Sequence, residues 1–289
     1  MKKNTIFRGC ATALITPFKN GEIDYTALTK IIEMQISEGV SALVIGGTTG
    51  EAATLTDGER YALFEFCRDR IDGRIKIIFG TGTNDTAAAL RHTRAANLIG
   101  CDGILVVTPY YNKGTEAGIV KHYQRIAEES AAPVLLYNVP GRTGVNLSFK
   151  ALGELCLHPN IVGIKEASDS ADRLIRLREY GEELSLYAGN DSQIYTTLSI
   201  GGEGVISVLS NAYPKYTAEI CSLFFEGKRE ESLGMQIRAL GLIRALFGET
   251  NPAPIKYAMN RLGYAENELR LPLSPIERIT EEEIDRNLL

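Results

Sequence analysis

Lys165 follows directly on the apolar run Ile161-Val162-Gly163-Ile164, and a lone cation at the end of a buried strand calls for a chemical reason. Desolvation disfavours the ammonium form. An amine so placed is partly neutral near pH 7 and attacks carbonyl carbon to give a Schiff base. Taken alone, the residue reads more readily as half of a structural ion pair, with Glu166 or another barrel carboxylate as partner. Its company favours chemistry. Gly46-Gly47-Thr48-Thr49-Gly50-Glu51 sets small residues in series. There, backbone N–H groups and two hydroxyls can turn inward as a nest for a carboxylate, or the threonines can merely cap a tight turn. Thr108-Pro109-Tyr110-Tyr111-Asn112 carries adjacent tyrosines, one of which alternation turns outward, as at a subunit contact. Tyr137-Asn138-Val139-Pro140-Gly141-Arg142 offers a phenol able to pass a proton and a planar guanidinium suited to a carboxylate. Each of these has a plainer reading as a core tyrosine and a surface arginine. Gly80-Thr81-Gly82-Thr83-Asn84 is again small and polar, while Ala188-Gly189-Asn190-Asp191 and Ile206-Ser207 are small and apolar enough to admit a ligand's methyl group.

These segments share a place in the pattern: each follows a short aliphatic run. The runs are residues 11–15, 42–45, 76–79, 103–107, 134–137, 161–164, 184–187 and 204–208, nearly continuous in apolar residues as parallel strands buried on both faces are. Amphipathic stretches lie between them, with starts marked by Asp24, the capping box of Thr56 and Glu59, Asn84 or Asp85, Thr115, Ser148, Ser170, Asp191 and Pro214. Strand–helix alternation of this kind predicts a TIM-type (β/α)₈ barrel over residues 1–227, with chemistry collected at the carboxyl ends of its strands. An open doubly wound sheet is the alternative, but no Gly-x-Gly-x-x-Gly follows the first run. Residues 228–248 read as one long helix, a second helix follows Asn251-Pro252-Ala253-Pro254, and Ser274-Pro275-Ile276-Glu277 caps a last segment with an acidic final turn, Thr280 to Glu283. Residues 228–289 therefore form a C-terminal helical appendage.

Composition narrows the function classes. The chain has 289 residues, 44% apolar and 23% charged, with net charge −5, which suits a globular protein and argues against broad nucleic-acid binding. No apolar run approaches the ~18 residues that span a bilayer. The start, Met1 to Arg8, lacks a leader's apolar core, so the cytoplasm is the expected compartment. The five cysteines are scattered without a Cys-x-x-Cys pair, and His92, His122 and His158 have no metal-ligand spacing. No disulfide framework or metal site is expected, and the histidines read as surface residues.

The motifs resemble the N-acetylneuraminate lyase/dihydrodipicolinate synthase family of Schiff-base aldolases. The likeness runs from Leu14-Ile15-Thr16-Pro17-Phe18 to Asn251-Pro252-Ala253-Pro254-Ile255-Lys256. Gly47-Thr48-Thr49-Gly50-Glu51 and Gly163-Ile164-Lys165-Glu166 are shared across that family. Tyr137-Asn138-Val139-Pro140 with Arg142-Thr143 is more discriminating, because sugar-acid lyases usually lack the arginine. The resemblance implies that Lys165 forms an imine with pyruvate, with no cofactor. Tyr137 would be the central acid/base, linked to Thr48 and to Tyr111 from a neighbouring subunit. The amides of Thr48 and Thr49 would hold the pyruvate carboxylate, Gly189 and Ile206 would line its pocket, and Arg142 would meet the carboxylate of L-aspartate 4-semialdehyde. A homo-oligomer follows, a tetramer built as a dimer of dimers in the family pattern, serving diaminopimelate and lysine biosynthesis. Lysine-inhibited members carry acidic and histidine side chains near the motif loops. Here those stretches read Ala52-Ala53, Asp57, Arg60, Asn84 and Ala88, with Tyr110 retained, so weak or absent lysine feedback is expected. A lyase of 2-keto sugar acids and a non-catalytic carboxylate-binding barrel are the competing readings.

Overall fold

The apolar runs become the eight strands of one closed, all-parallel barrel in the computed structural model, which describes residues 5–289. Met1 to Asn4, half of the segment Met1 to Arg8 read for a leader, lie outside those residues. The strands are β1 (Gly9–Ala13), β2 (Ala42–Ile45), β3 (Lys76–Gly80), β4 (Gly103–Val107), β5 (Val134–Asn138), β6 (Ile161–Glu166), β7 (Ser185–Ala188) and β8 (Gly204–Ser207). Each pairs with its neighbours in chain order, and β1 closes the ring between β2 and β8. The first strand lies two residues earlier than its apolar run suggested. Gly9 and Cys10 pair with Gly204 and Val205, whereas the Ile15 amide has already turned to the side chain of Asn211, at 3.0 Å.

Helices alternate with the strands: α1 (Tyr25–Ser37), α2 (Asp57–Ile71), α3 (Thr86–Ile99), α4 (Glu116–Glu129), α5 (Phe149–Cys156), α6 (Ala171–Arg176), α7 (Ile194–Ser199) and α8 (Pro214–Phe225). Asp24 accepts the Thr26 and Ala27 amides, Thr56 and Glu59 form the reciprocal box, and Asp85 rather than Asn84 caps α3. Thr115, Ser148 and Ser170 cap as expected. Asp191 does not, because its carboxylate is drawn to amides beyond β8. Three further helices follow, α9 (Arg229–Leu246), α10 (Ala253–Arg261) and α11 (Arg278–Asn287). Residues 274–277 are irregular chain, and Glu277 precedes α11 without a side-chain cap; Thr280 to Glu283 lie inside that helix rather than forming a last turn. No helix among the described residues is long and apolar enough to cross a membrane.

Strand alternation divides the apolar side chains into two cores. One fills the barrel, from Phe7, Ala11, Ala13, Ala42, Val44, Ile78, Leu105, Leu135, Val162 and Ile206 together with Tyr137 and Tyr187. Small residues on β1 and β2 leave room for the two large phenols from β5 and β7. The other core lies between the strands and the helices. Where β1 meets β8 the seam is polar yet fully satisfied. Thr12 donates to Gln35 of α1 at 2.6 Å, Ser210 donates to Thr12 at 2.8 Å, and Asn211 donates to the Ala13 carbonyl at 2.8 Å. Such buried groups are tolerated because each finds a partner.

The histidines correct a sequence expectation. His92 and His122 are each only 5% exposed, bonded through Nδ1 to Tyr61 (3.1 Å) and Thr86 (2.9 Å). Helical periodicity placed them on helices but did not say that a hydroxyl waits beneath each ring.

Candidate active site

Lys165 is the penultimate residue of β6, opposite Tyr137 of β5 and Tyr187 of β7 in the ladder. Its side chain is 5% exposed, with Nζ 4.4 Å from the centre of the Tyr137 ring. The structural alternative for this lysine fails on geometry. Glu166 faces the other side of the strand, where it accepts Arg173 Nε at 2.9 Å and Asn138 Nδ2 at 2.8 Å. Lys165 joins none of the ion pairs formed by the described residues; the other buried pair is Glu51 with Lys256. Burial pushes the Lys165 amine down to about 8; the Asp191 carboxylate opposes this shift and the Arg142 charge adds to it. Burial also raises the Tyr137 phenol, against the opposing effects of Arg142 and of a hydrogen bond with Thr48. An amine and a phenol thus meet in one desolvated space with neither locked to a counter-ion.

The segment after β2 folds back on itself. Gly46 (φ +65°) and Glu51 (φ +53°) adopt the left-handed conformation, and the amides of Gly50, Glu51 and Ala52 bond to carbonyls within the turn. The amides of Thr48 and Thr49 take no acceptor among the described residues, which leaves two adjacent N–H groups at the mouth. Thr48 is half-buried and Thr49 buried. Arg60 of α2 pins the turn from behind, donating to the carbonyls of Ala52 (2.6 Å) and Gly80 (3.2 Å).

Gly189 leaves β7 with its amide on the Glu166 carbonyl at 2.7 Å. A Cβ there would sit 2.6 Å from the Ala167 Cβ and 2.8 Å from the Glu166 oxygen, so no side chain fits. Ile206 of β8 is fully buried in the barrel core. Arg142 projects from a single helical turn, Pro140–Thr143, with its guanidinium exposed and Nη2 on the Asn251 carbonyl at 2.9 Å. The tyrosine pair splits as alternation requires: Tyr110 is half-buried beside Thr83, whereas Tyr111 is 88% exposed and stands on the surface of the single chain.

Three site-supporting residues lay outside the sequence argument. Asn251 donates to Thr49 Oγ1 at 3.0 Å while its carbonyl holds Arg142, so one loop residue braces both carboxylate-binding candidates. Lys256 of α10, with no exposed surface, pairs with Glu51 at 2.5 Å and anchors the far end of the turn. The third is Asp191, a buried carboxylate whose field reaches Lys165. The Asn251–Pro254 break marked a loop, but no local pattern aims a loop at a mouth some 200 positions away in sequence. Among the described residues, no three His, Cys, Asp or Glu side chains are grouped as a metal centre.

The sequence and the fold resemble those of known proteins. The model of the dihydrodipicolinate synthetase family matches residues 6–288. A 4-hydroxy-tetrahydrodipicolinate synthase of Alkaliphilus oremlandii is 45% identical over 280 residues, covering 96% of this chain and 97% of that protein. The crystal structure of dihydrodipicolinate synthase from Thermotoga maritima superposes with a TM-score of 0.96 at 42% identity, covering 98% of each chain. A structure described as the first monomeric dihydrodipicolinate synthase variant gives 0.95 at 42% identity, covering 98% of this chain and 96% of that one.

Proposed function

The chain belongs to the dihydrodipicolinate synthetase family, and from that premise we infer that it is a lyase of the class I aldolase type. It condenses pyruvate with L-aspartate 4-semialdehyde to 4-hydroxy-tetrahydrodipicolinate, in diaminopimelate and lysine biosynthesis. The observation that carries the chemistry is the unlocked, desolvated amine of Lys165. At about 8, that amine is neutral in on the order of a tenth of molecules at pH 7, against on the order of one in 2,500 for an ordinary lysine. Neutral Nζ attacks the pyruvate keto carbon, the carbinolamine loses water, and the nitrogen remains as a protonated imine. The imine draws electrons from the neighbouring methyl group, which loses a proton to give an enamine. No cofactor is invoked, because the imine is itself the electron sink.

Tyr137, whose ring lies against Lys165 Nζ and whose phenol bonds with Thr48, is our candidate to carry protons to the carbinolamine oxygen and away from the methyl carbon. The vacant amides of Thr48 and Thr49 suit the pyruvate carboxylate. Gly189 and Ile206 give the substrate methyl a small apolar wall. Arg142 sits at the outer edge, braced by Asn251, where the carboxylate of the semialdehyde would arrive. The enamine carbon then attacks the aldehyde carbon. The substrate's own amine displaces Lys165 and closes the ring, which returns the lysine as free amine.

Exposed Tyr111 supports a homo-oligomer in which it completes a neighbour's site, and the tetramer is our reading of the assembly. The cytoplasm is the proposed compartment. We place the catalytic barrel in residues 1–227 and the helical appendage in 228–289, joined through the Glu51–Lys256 and Thr49–Asn251 contacts. The test is borohydride reduction in the presence of pyruvate, followed by intact mass and peptide mapping. One reduced pyruvate unit on Lys165 is expected, and an unmodified protein at saturating pyruvate would rule the mechanism out.

A further inference from the structure

The mechanism above gives no task to Asp191. This residue begins the short turn Asp191–Gln193 after β7, is 1% exposed, and is held from three sides. Its Oδ2 accepts the Val208 and Leu209 amides, both at 3.0 Å, beyond the end of β8. Burial raises its carboxyl above the usual range, while the Ser207 hydroxyl, the two amides and the Lys165 charge favour the ionised form, and Gln236 of α9 donates to its backbone carbonyl at 3.1 Å. Oδ1 is buried with no donor of ordinary hydrogen-bond geometry among the described residues. A buried carboxylate with an unsatisfied oxygen is costly unless a cation compensates it. The charged and titratable groups around the Asp191–Lys165 pair are Arg142, the Tyr137 phenol (raised by burial) beside Lys165, and the thiols of Cys10 on β1 and Cys221 on α8, on which the Asp191 charge acts. The two thiols are raised by burial and stay neutral, and Arg142 acts on Lys165 with the opposite sign to Asp191. Lys165, leaving the adjacent strand at the same rim, is the remaining cation.

We propose that Asp191 is a positioning residue that balances the charge on the Lys165 nitrogen, through space and without a bond to it. The proposal rests on the reading of Lys165 as the imine-forming lysine. Ammonium plus ketone gives iminium plus water with no net proton taken up or lost, so the same nitrogen carries the positive charge in the resting enzyme and again in the adduct. A carboxylate fixed by backbone amides can serve both species. Held by those amides rather than by the lysine, it also leaves the amine free to react, which a direct salt bridge would not.

The experiment follows the pH dependence of borohydride trapping with pyruvate. In the wild type the trapping rate should reach half its maximum near pH 8. Asp191→Asn keeps an acceptor for the two amides but removes the charge. It should move that midpoint down by about one unit, so that the neutral fraction and the trapping rate at pH 7 rise about fivefold. Turnover of the variant should fall on the alkaline side, where its iminium loses a proton more easily. Ser207→Ala, which weakens ionisation of Asp191, should move the midpoint in the same direction by less. A uniform loss of rate with an unmoved midpoint would mark Asp191 as merely structural and overturn the proposal. Should Asp191→Asn fail to fold by circular dichroism, Ser207→Ala decides, and an unchanged midpoint there overturns it too. A wild type that forms no adduct on Lys165 removes the underlying reading. Normal wild-type trapping with unshifted variants removes only the role of Asp191.

Discussion

Replacing Lys256 by methionine should destabilise the protein severely, although the residue lies 205 positions from its partner in the sequence. Glu51 and Lys256 both have no exposed side-chain surface, and their 2.5 Å contact is fully desolvated. Lys256 Nζ also lies 4.3 Å from the centre of the Phe18 ring. Methionine fills the space and keeps the apolar stem, so the loss comes from a carboxylate left buried with, among the described residues, only the backbone amide of Arg270, at 3.1 Å, still donating to it. Removing one partner of a buried pair costs roughly 3 to 5 kcal/mol, a large share of the ~5–15 kcal/mol that holds a typical domain together. In urea that is a midpoint lowered by about 1 M or more. Glu51→Gln combined with Lys256→Met removes both charges and should recover much of the loss, since the amide needs no cation. The assay is reversible urea unfolding of wild type, both single variants and the double variant, with pyruvate saturation measured alongside. Glu51 ends the turn that carries Thr48 and Thr49, so the single Lys256 variant should also raise the KM for pyruvate. A loss below ~1 kcal/mol for Lys256→Met, or strictly additive effects in the double variant, would refute the reasoning.

Arg142→Ala should depress turnover with the semialdehyde more than imine formation with pyruvate; equal losses, read from kinetics and trapping, would remove Arg142 from the second substrate. His92 and His122 are both held neutral by burial, each lowered to about 4. The unfolded imidazoles titrate near 6.5, so between those values the unfolded chain binds more protons, and stability should fall as pH drops through the window. Thermal unfolding of His92→Gln/His122→Gln across pH 4 to 7 should show a shallower decline than wild type, and parallel curves would contradict the assignment. Lysine should inhibit weakly or not at all, because Ala88 offers no carboxylate and Arg60 is engaged by the Ala52 and Gly80 carbonyls. Clear inhibition by submillimolar lysine in steady-state assays would overturn that expectation.

Much of this architecture is legible in the chain because parallel strands buried on both faces leave a continuous apolar signature, and because each is followed by capped, amphipathic sequence. What escaped was of two physical kinds. Directional information was missing for His92 and His122, since periodicity assigns a helix but not the hydroxyl its inner face will meet. Long-range pairing was missing for Asn251, Lys256 and Asp191. The last looked like a helix cap because nothing adjacent showed that the Val208 and Leu209 amides would claim its carboxylate. Strand ends were blurred for a related reason. Leu14 and Ile15 are as apolar as any strand residue, but the ladder that would continue through them ends where β8 ends, at Ser207.

The polar seam between β1 and β8 bears on how the molecule is made. Ile15 must find Asn211 at a sequence separation of 196, so the earliest strand to be synthesised waits for its second neighbour until nearly three-quarters of the polypeptide has left the ribosome. In that interval β1 can pair only with β2, and its other edge presents bare amides and carbonyls to whatever strand is nearby. A product cut short before β8 would keep that edge open for its whole lifetime, and would be a recruiter of aggregates rather than a smaller enzyme.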